Sequence, residues 1–243
     1  MGRPADVQVI RWCGEEARTG PWRGDRAIAY LSPLAGGPVP SPAFVHRCLD
    51  RLAADGFRRV ITSALGPLEQ AAFLGAGFQV EERLWVLVHD LHELPPAPAG
   101  DRATSLRRAR SADRAAALEV DGLAFQPFWH LDGHGLDEAL SATPHVRFRV
   151  AGDQRSEIVG YAITGRAGAR GFVQRLAVHP DHQGRGLGRT LLLDGLRWLR
   201  RRRVTQVVVN TQVGTARALA LYQAAVFRTD SSRLCVLSAG LPR

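Results

Sequence analysis

The sequence predicts a mixed α/β (α+β) protein built in two parts, and three observations carry that prediction. Short β-rich runs alternate with amphipathic helical stretches through the second part of the chain. A proline- and alanine-rich stretch, Glu93-Leu94-Pro95-Pro96-Ala97-Pro98-Ala99-Gly100, disfavours both helix and strand and divides the chain. A glycine-rich loop, Gln183-Gly184-Arg185-Gly186-Leu187-Gly188, joins a strand to a helix. At 243 residues, 45% hydrophobic and 23% charged, the chain can bury a sizeable core.

The first part, residues 1–92, reads as a helix over 43–55, a strand over 57–61, a helix from about 68 to 75 and a strand over 84–88. Residues 93–103 form the linker. The second part, 104–240, opens with a strand over 104–110. Ser111-Ala112-Asp113 then offers an N-cap before a helix over 114–123. Residues 125–134, aromatic and punctuated by glycine, read as a loop, followed by a short helix over 136–142. Strands follow over 146–151, 158–165 and 172–178. After the glycine loop a helix runs over 188–202, with Gly188, Leu191, Leu192, Gly195, Leu196 and Leu199 at i, i+3, i+4, i+7, i+8 and i+11 on one face. A β-branched strand over 204–210, a helix over 215–225 and a strand over 234–237 complete the order.

The first part reads as a worn copy of the second. Setting Phe78 on Phe227, an offset of 149, puts Phe73 against Tyr222 and Val60 against Val209. The competing explanation is that helix–strand–helix–strand recurs in any α/β protein.

Composition narrows the function classes. Cys13, Cys48 and Cys235 are scattered and odd in number, so neither a disulfide framework nor a thiolate zinc site is indicated. His130 and His134 are four apart, but Gly133 and Gly135 argue against a metal-binding helix; no metal is expected. Every one of the 32 basic residues is arginine, and the net charge is +9. Such a skew resembles a coding bias more than a nucleic-acid-binding adaptation, and the run Arg200-Arg201-Arg202-Arg203 ends a helix, where cations meet the helix dipole favourably; an anion-binding patch is the other reading of that run. Neither a leader pattern nor an apolar run of membrane length is present, and Met1-Gly2-Arg3-Pro4-Ala5-Asp6 lacks the hydroxyl residue of a myristoylation signal; a cytoplasmic protein that binds no membrane is the expectation.

The glycine loop carries chemistry. Glycine lacks a Cβ and lets backbone N–H groups converge on a ligand, and phosphates bind where such groups meet a helix N-terminus. The alternation of Gly184, Gly186 and Gly188 is neither the dinucleotide fingerprint nor a nucleotide-triphosphate loop.

The run Leu176-Ala177-Val178-His179-Pro180-Asp181-His182-Gln183-Gly184-Arg185-Gly186-Leu187-Gly188 resembles the acetyl-CoA motif of the GCN5-related N-acetyltransferases (GNAT). Downstream, Ala218-Leu219-Ala220-Leu221-Tyr222 followed by Phe227 is similar to that family's tyrosine-bearing helix and its closing Gly-Phe. The resemblance covers about residues 104–240. It implies a mixed, mostly antiparallel central sheet flanked by helices, preceded by a smaller, partial GNAT-like half. The outline is similar to tandem acetyltransferases of the mycothiol-synthase kind, though shorter.

The resemblance also implies roles. The pantetheine arm of acetyl-CoA lies along Leu176, Ala177 and Val178 like an added strand. Backbone N–H groups of Gln183, Gly184, Arg185, Gly186, Leu187, Gly188 and Arg189 hold the pyrophosphate, with help from Thr190. Asn210, on the following strand, joins the cofactor-binding set. The Val178 N–H polarises the thioester carbonyl, and Tyr222 protonates the leaving thiolate. A core aromatic is the plain alternative for Tyr222.

Departures from the pattern matter. Thr215 replaces an asparagine but can still cap its helix. Val226-Phe227 replaces Gly-Phe, which changes the turn. Gln174 stands where many members carry a glutamate base. Without that carboxylate an α-amine or low-pKa amine, in a small molecule or a peptide, is the favoured acceptor. At pH 7.4 roughly 0.1% of lysine side chains and roughly 30% of α-amines are neutral. His130, His145 and Asp121 are the other base candidates. The aromatics of residues 125–132 either line an acceptor pocket or fill core space.

In the first half, Ala35-Gly36-Gly37-Pro38-Val39-Pro40 stands near the pyrophosphate-loop position. Its prolines lack N–H donors and Phe73 replaces the tyrosine, so no CoA site is expected there. The leading expectation is an acetyl-CoA-dependent N-acetyltransferase acting by direct transfer. The alternatives are a non-catalytic CoA-binding regulatory protein and a basic nucleic-acid-associated protein.

Overall fold

The computed structural model describes residues 7–34, 36–96, 105–153 and 155–242. The myristoylation reading at residues 1–6, Ala35, position 104 of the expected strand and positions 97–103 of the linker lie outside the described residues. Two compact units emerge: Met1–Val86 together with Ser231–Arg243, and Leu87–Asp230.

The first unit contains β1 (Gln8–Trp12), β2 (Glu15–Trp22), β3 (Asp25–Pro33), α1 (Pro42–Ala54), β4 (Arg59–Thr62), α2 (Pro67–Gly75), most of β5 (Gln79–His89) and most of β11 (Arg228–Gly240). Its strand order is β1-β2-β3-β4-β11-β5. The β1–β2 and β2–β3 pairs are antiparallel, β3–β4 is parallel and β4–β11 is antiparallel. Sequence reading assigned nothing to β1, β2 and β3. Their turns, Cys13-Gly14 and Arg23-Gly24, have positive φ at both central residues, as two-residue hairpins of matching twist require. Cysteine and arginine in place of the usual Asn or Asp hid that signal. Phe44, Cys48 and Leu52 of α1 and Phe73 of α2 pack on Leu31, Val60 and Leu237. Burial, with Glu15 nearby, pushes the Cys48 thiol up to about 12, so it is an inert packing group.

The second unit contains β6 (Ser105–Arg108), α3 (Arg114–Ala124), α4 (Gly133–Ser141), β7 (His145–Gly152), β8 (Ile158–Ala167), β9 (Arg170–Val178), α5 (Leu187–Arg201), β10 (Gln206–Gln212) and α6 (Ala216–Ala224). The strand order is β10-β9-β8-β7-β6, antiparallel except for the parallel β9–β10 pair. Ala117 and Val120 of α3 and Leu136 of α4 pack on Val150, Tyr161, Ile163 and Ala177. Leu187 and Leu191 of α5 pack on Ala151, Val159, Ala162 and Val178, which come from the opposite faces of the same strands. The expected stripe of α5 is the buried one. Gly195 in it lets the helix ride low on the sheet, since a Cβ there would lie 2.5 Å from Thr164 Oγ1. The terminal strand is longer than the expected 234–237, because Arg228–Ser232 carry polar side chains that conceal its extended backbone.

The offset of 149 maps α2 onto α6 end to end. Phe73 and Phe78 meet edge-to-face at 5.1 Å, Tyr222 and Phe227 at 5.5 Å. The Phe78 N–H donates to Phe73 O at 3.1 Å and the Phe227 N–H to Tyr222 O at 3.0 Å. At the residue between helix and strand, Gly77 has φ +88° and Val226 has φ +68°.

Candidate active site

The site begins where β9 and β10 part. Their parallel pairing covers only Gln206–Arg170, Val207–Gly171 and Val208–Phe172, yet β9 continues to Val178 and β10 to Gln212. On its other side β9 pairs with β8 throughout, interrupted by a bulge at Gln174, which lies between Ile163–Arg175 and Thr164–Val173. The His179 N–H donates to Val159 O at 2.9 Å, so 159–179 is a hydrogen-bonded pair. Antiparallel pairs alternate, so Gly160–Val178 and Ala162–Leu176 are non-hydrogen-bonded pairs. The backbone N–H groups of Leu176 and Val178 therefore face the edge that β10 has left. Ala177 differs from the expectation: its pair with Tyr161 turns its backbone toward β8, and its side chain joins the core under α3. Asn210 lies on β10 beyond the last residue paired with β9, with an exposed side chain.

The loop follows. Residues 180–182 make one tight turn, closed by the Gln183 N–H on Pro180 O at 3.2 Å. Gln183 is thus not a free backbone donor, and the donor run starts one residue later than expected. Its side chain ties the loop down instead. Nε2 donates to Val178 O at 3.0 Å, and Oε1 accepts from Arg217 at 2.6 Å. Gly184 and Gly186 take φ +77° and +82°, conformations that turn successive N–H groups to one side. The first helical bond of α5 is Thr190 N–H to Gly186 O, 3.0 Å, so residues 184–189 keep backbone donors with no protein acceptor among the described residues. The Thr190 hydroxyl donates to Gly186 O at 3.2 Å. Gly188 packs near Leu176, Val178 and Leu221. Unpaired donors at a helix N-terminus beside an open strand edge fit a ligand with a diphosphate and an amide-bearing arm.

Tyr222 of α6 is 7% exposed. Burial pushes its phenol up to about 12, against the opposing charge of Arg175. It therefore stays protonated through neutral pH. Thr215 does not cap α6 as expected: its hydroxyl points to Gln212 Oε1 at 3.4 Å.

The base candidates fall differently from the sequence reading. Asp121 is fully buried and saturated. Its carboxylate accepts from Tyr161 Oη, from Arg175 Nε at 2.7 Å and Nη2 at 2.8 Å, and from the Leu131 N–H at 2.7 Å. Burial first, then the Asp121 charge, pushes the Tyr161 phenol up. Arg175 Nη2 also reaches Trp129 O at 2.7 Å, and its guanidinium lies 3.6 Å from the centre of the Phe125 ring. Asp121 thus fastens residues 125–131 to β9, with its carboxylate accepting four hydrogen bonds. His130 Nε2 lies 2.9 Å from Phe125 O. His145 pairs with Arg166, at the end of β8 away from Gly160 and Val178. Gln174 Nε2 reaches Thr143 Oγ1 at 3.4 Å, with Oε1 buried. Sequence reading missed the Asp121–Tyr161–Arg175 cluster; an arginine on a strand that also carries Phe172, Val173, Leu176, Ala177 and Val178 was the available signal. Among the described residues no group of three or more His, Cys, Asp or Glu could hold a metal, and no helix is long and apolar enough to cross a membrane.

A sheet opened beside a glycine-rich helix start, with a buried tyrosine on the next helix, defines a class. Residues 115–226 match the Acetyltransferase (GNAT) family, and the chain belongs to that family of acetyl-CoA-using N-acetyltransferases. It is 31% identical over 222 residues to the mycothiol acetyltransferase of Thermobispora bispora, covering 82% of this chain and 75% of that one. It is 31% identical over 194 residues to the mycothiol acetyltransferase of Amycolatopsis mediterranei, covering 72% of this chain and 63% of that one. Among solved structures, a tandem GNAT protein from the clavulanic acid biosynthesis pathway superposes with a TM-score of 0.72 at 15% identity, over 97% of this chain and 82% of that one.

Proposed function

We propose that the Leu87–Asp230 unit binds acetyl-CoA in the β9–β10 opening and transfers its acetyl group directly to a small-molecule or peptide amine of low pKa. The observation that carries this reading is the parting of β9 from β10 with the Leu176 and Val178 donors on the opened edge. In this reading the pantetheine arm pairs with that edge. The N–H groups of Gly184, Arg185, Gly186, Leu187, Gly188 and Arg189 hold the pyrophosphate, and Asn210 faces the arm from β10.

The amine nitrogen attacks the thioester carbonyl. The Val178 N–H stabilises the oxyanion; the C–S bond breaks as Tyr222 gives its proton to the sulfur. The nitrogen's proton passes to solvent and Tyr222 is reprotonated, leaving an amide and a thiol. With Asp121 saturated and glutamine at 174, neither of these two positions offers a carboxylate to deprotonate an ammonium, which favours an amine already partly neutral. The curated relatives are named mycothiol acetyltransferases, so a small-molecule acceptor of that kind heads the candidates. The first half is read as carrying no CoA site. There β3 and β4 stay paired from Ile28–Arg59 to Leu31–Thr62, and the pairing extends to the Ser63 N–H on Leu31 O.

The test is thiol release from acetyl-CoA across small amines, peptide N-termini and lysine peptides. Low-pKa amines are expected to lead, and Tyr222→Phe is expected to lower kcat by about 10² or more with CoA affinity retained. A lysine preference would overturn the acceptor reading. An unchanged kcat in Tyr222→Phe would remove the tyrosine from the mechanism.

A further inference from the structure

A second cleft, of about 670 Å³, opens in the Leu87–Asp230 unit. Trp198 and Arg202 line it from the far end of α5, a helix of 15 residues and so about 22 Å long. It is therefore separate from the glycine loop at the helix start. Half of the residues that line it are arginines and none is acidic.

These arginines fall into two groups. Asp194 holds Arg147 at 2.8 and 3.0 Å and Arg149 at 3.3 Å, and Asp137 holds Arg114 at 2.6 Å. Arg108, Arg110, Arg166 and Arg202 have no carboxylate partner within ion-pair distance among the described residues. Arg166 is anchored through Nε on Gly168 O at 3.1 Å, which leaves its terminal amino groups to the cleft. Arg149 is spoken for, its Nε in the ion pair with Asp194 and its Nη2 donating to Leu106 O at 3.0 Å. Like charges crowded within a Debye length of about 8 Å repel unless a counter-charge joins them. Guanidinium forks match phosphate oxygens two at a time, and an indole offers a plane on which a base can stack.

We propose that this cleft is a second ligand site, for a small molecule bearing several phosphates, of the nucleoside triphosphate class. Arg108, Arg166 and Arg202 grip the phosphates, and Trp198 receives the base. The site stands apart from acetyl-CoA binding, so the two ligands occupy the chain together.

The test is isothermal titration of the full chain, saturated with CoA, with tripolyphosphate and with ATP. One equivalent of each is expected to bind. Arg166→Gln combined with Arg202→Gln is expected to weaken both by about 100-fold, about tenfold per guanidinium, with CoA affinity and circular dichroism unchanged. If that pair fails to fold, Arg108→Gln on β6 is expected to cost about tenfold. Trp198→Leu is expected to weaken ATP more than tripolyphosphate. Competition by CoA, indifference to the arginine substitutions, or no binding at millimolar concentration would each overturn the proposal. So would affinity for single-stranded RNA that grows with oligonucleotide length, which would make the face a nucleic-acid surface.

Discussion

Val226 is the residue where local sequence and local structure disagree most openly. A β-branched side chain at φ +68° is strained by roughly 1–2 kcal/mol. The equivalent position in the first half is Gly77, at φ +88°, where no strain arises. Val226→Gly is therefore expected to stabilise the protein by about 1 kcal/mol, after the extra entropy of glycine in the unfolded chain. Urea unfolding checks it, and an unchanged midpoint would show that the turn relaxes around valine. Asp113 is a second single-residue case. The Arg107 guanidinium, paired to it through two bonds of 2.7 Å, and the Arg110 N–H hold its carboxyl down to about 2 from the ordinary 3.8. A depressed carboxyl contributes its stability above the unfolded value and loses it as pH falls through the folded one. The window is thus from about pH 4 down to 2. Asp113→Asn is expected to be less stable at neutral pH and to show a flatter stability profile across that window.

At the scale of elements, α3 and the loop after it are fixed by charge as much as by apolar contact. Asp121 and Arg175 are nearly buried, with side-chain exposures of 0% and 14%. Removing one partner leaves the other's charge uncompensated, a loss of about 3–5 kcal/mol. Asp121→Asn is expected to fall in or just below that range. It is also expected to raise KM for the acceptor more than for acetyl-CoA, because residues 125–131 lose their tether while the glycine loop keeps its own. Equal effects on the two KM values would show that this loop does not shape the acceptor site. The elements themselves were largely legible. The α5 stripe, the β8 and β9 runs and the α2 and α6 helices follow from periodicity and glycine punctuation. The first three strands were not, since their turns use Cys-Gly and Arg-Gly. Neither was the bulge at Gln174, because a bulge is a property of the pairing with β8 and leaves no mark in β9 alone. The opening between β9 and β10 was foreseen only through the family resemblance; nothing in the residues of β10 announces where pairing stops.

At the scale of the whole molecule, two similar runs of chain have met different fates at the same helix start. In the first half α1 begins at Ser41-Pro42, and Ser41 gives both its N–H and its hydroxyl, the latter at 2.7 Å, to the carboxylate of Glu15. In the second half the corresponding helix start leaves its backbone donors without a protein acceptor among the described residues. Hydrogen exchange with and without CoA is expected to show slowing at Leu176, Val178 and residues 184–189. No change is expected at residues 36–45. Slowing at residues 36–45 would mean that the first half retains a cosubstrate site. If it does not, Glu15 is a built-in tenant: an anion on the chain's own tether occupies the seat that phosphate would take in the second half under the proposed function. Under the proposed function acetyl-CoA would then add stability through the second half's helix start, while the first half's helix start carries its anion at every concentration of the cosubstrate.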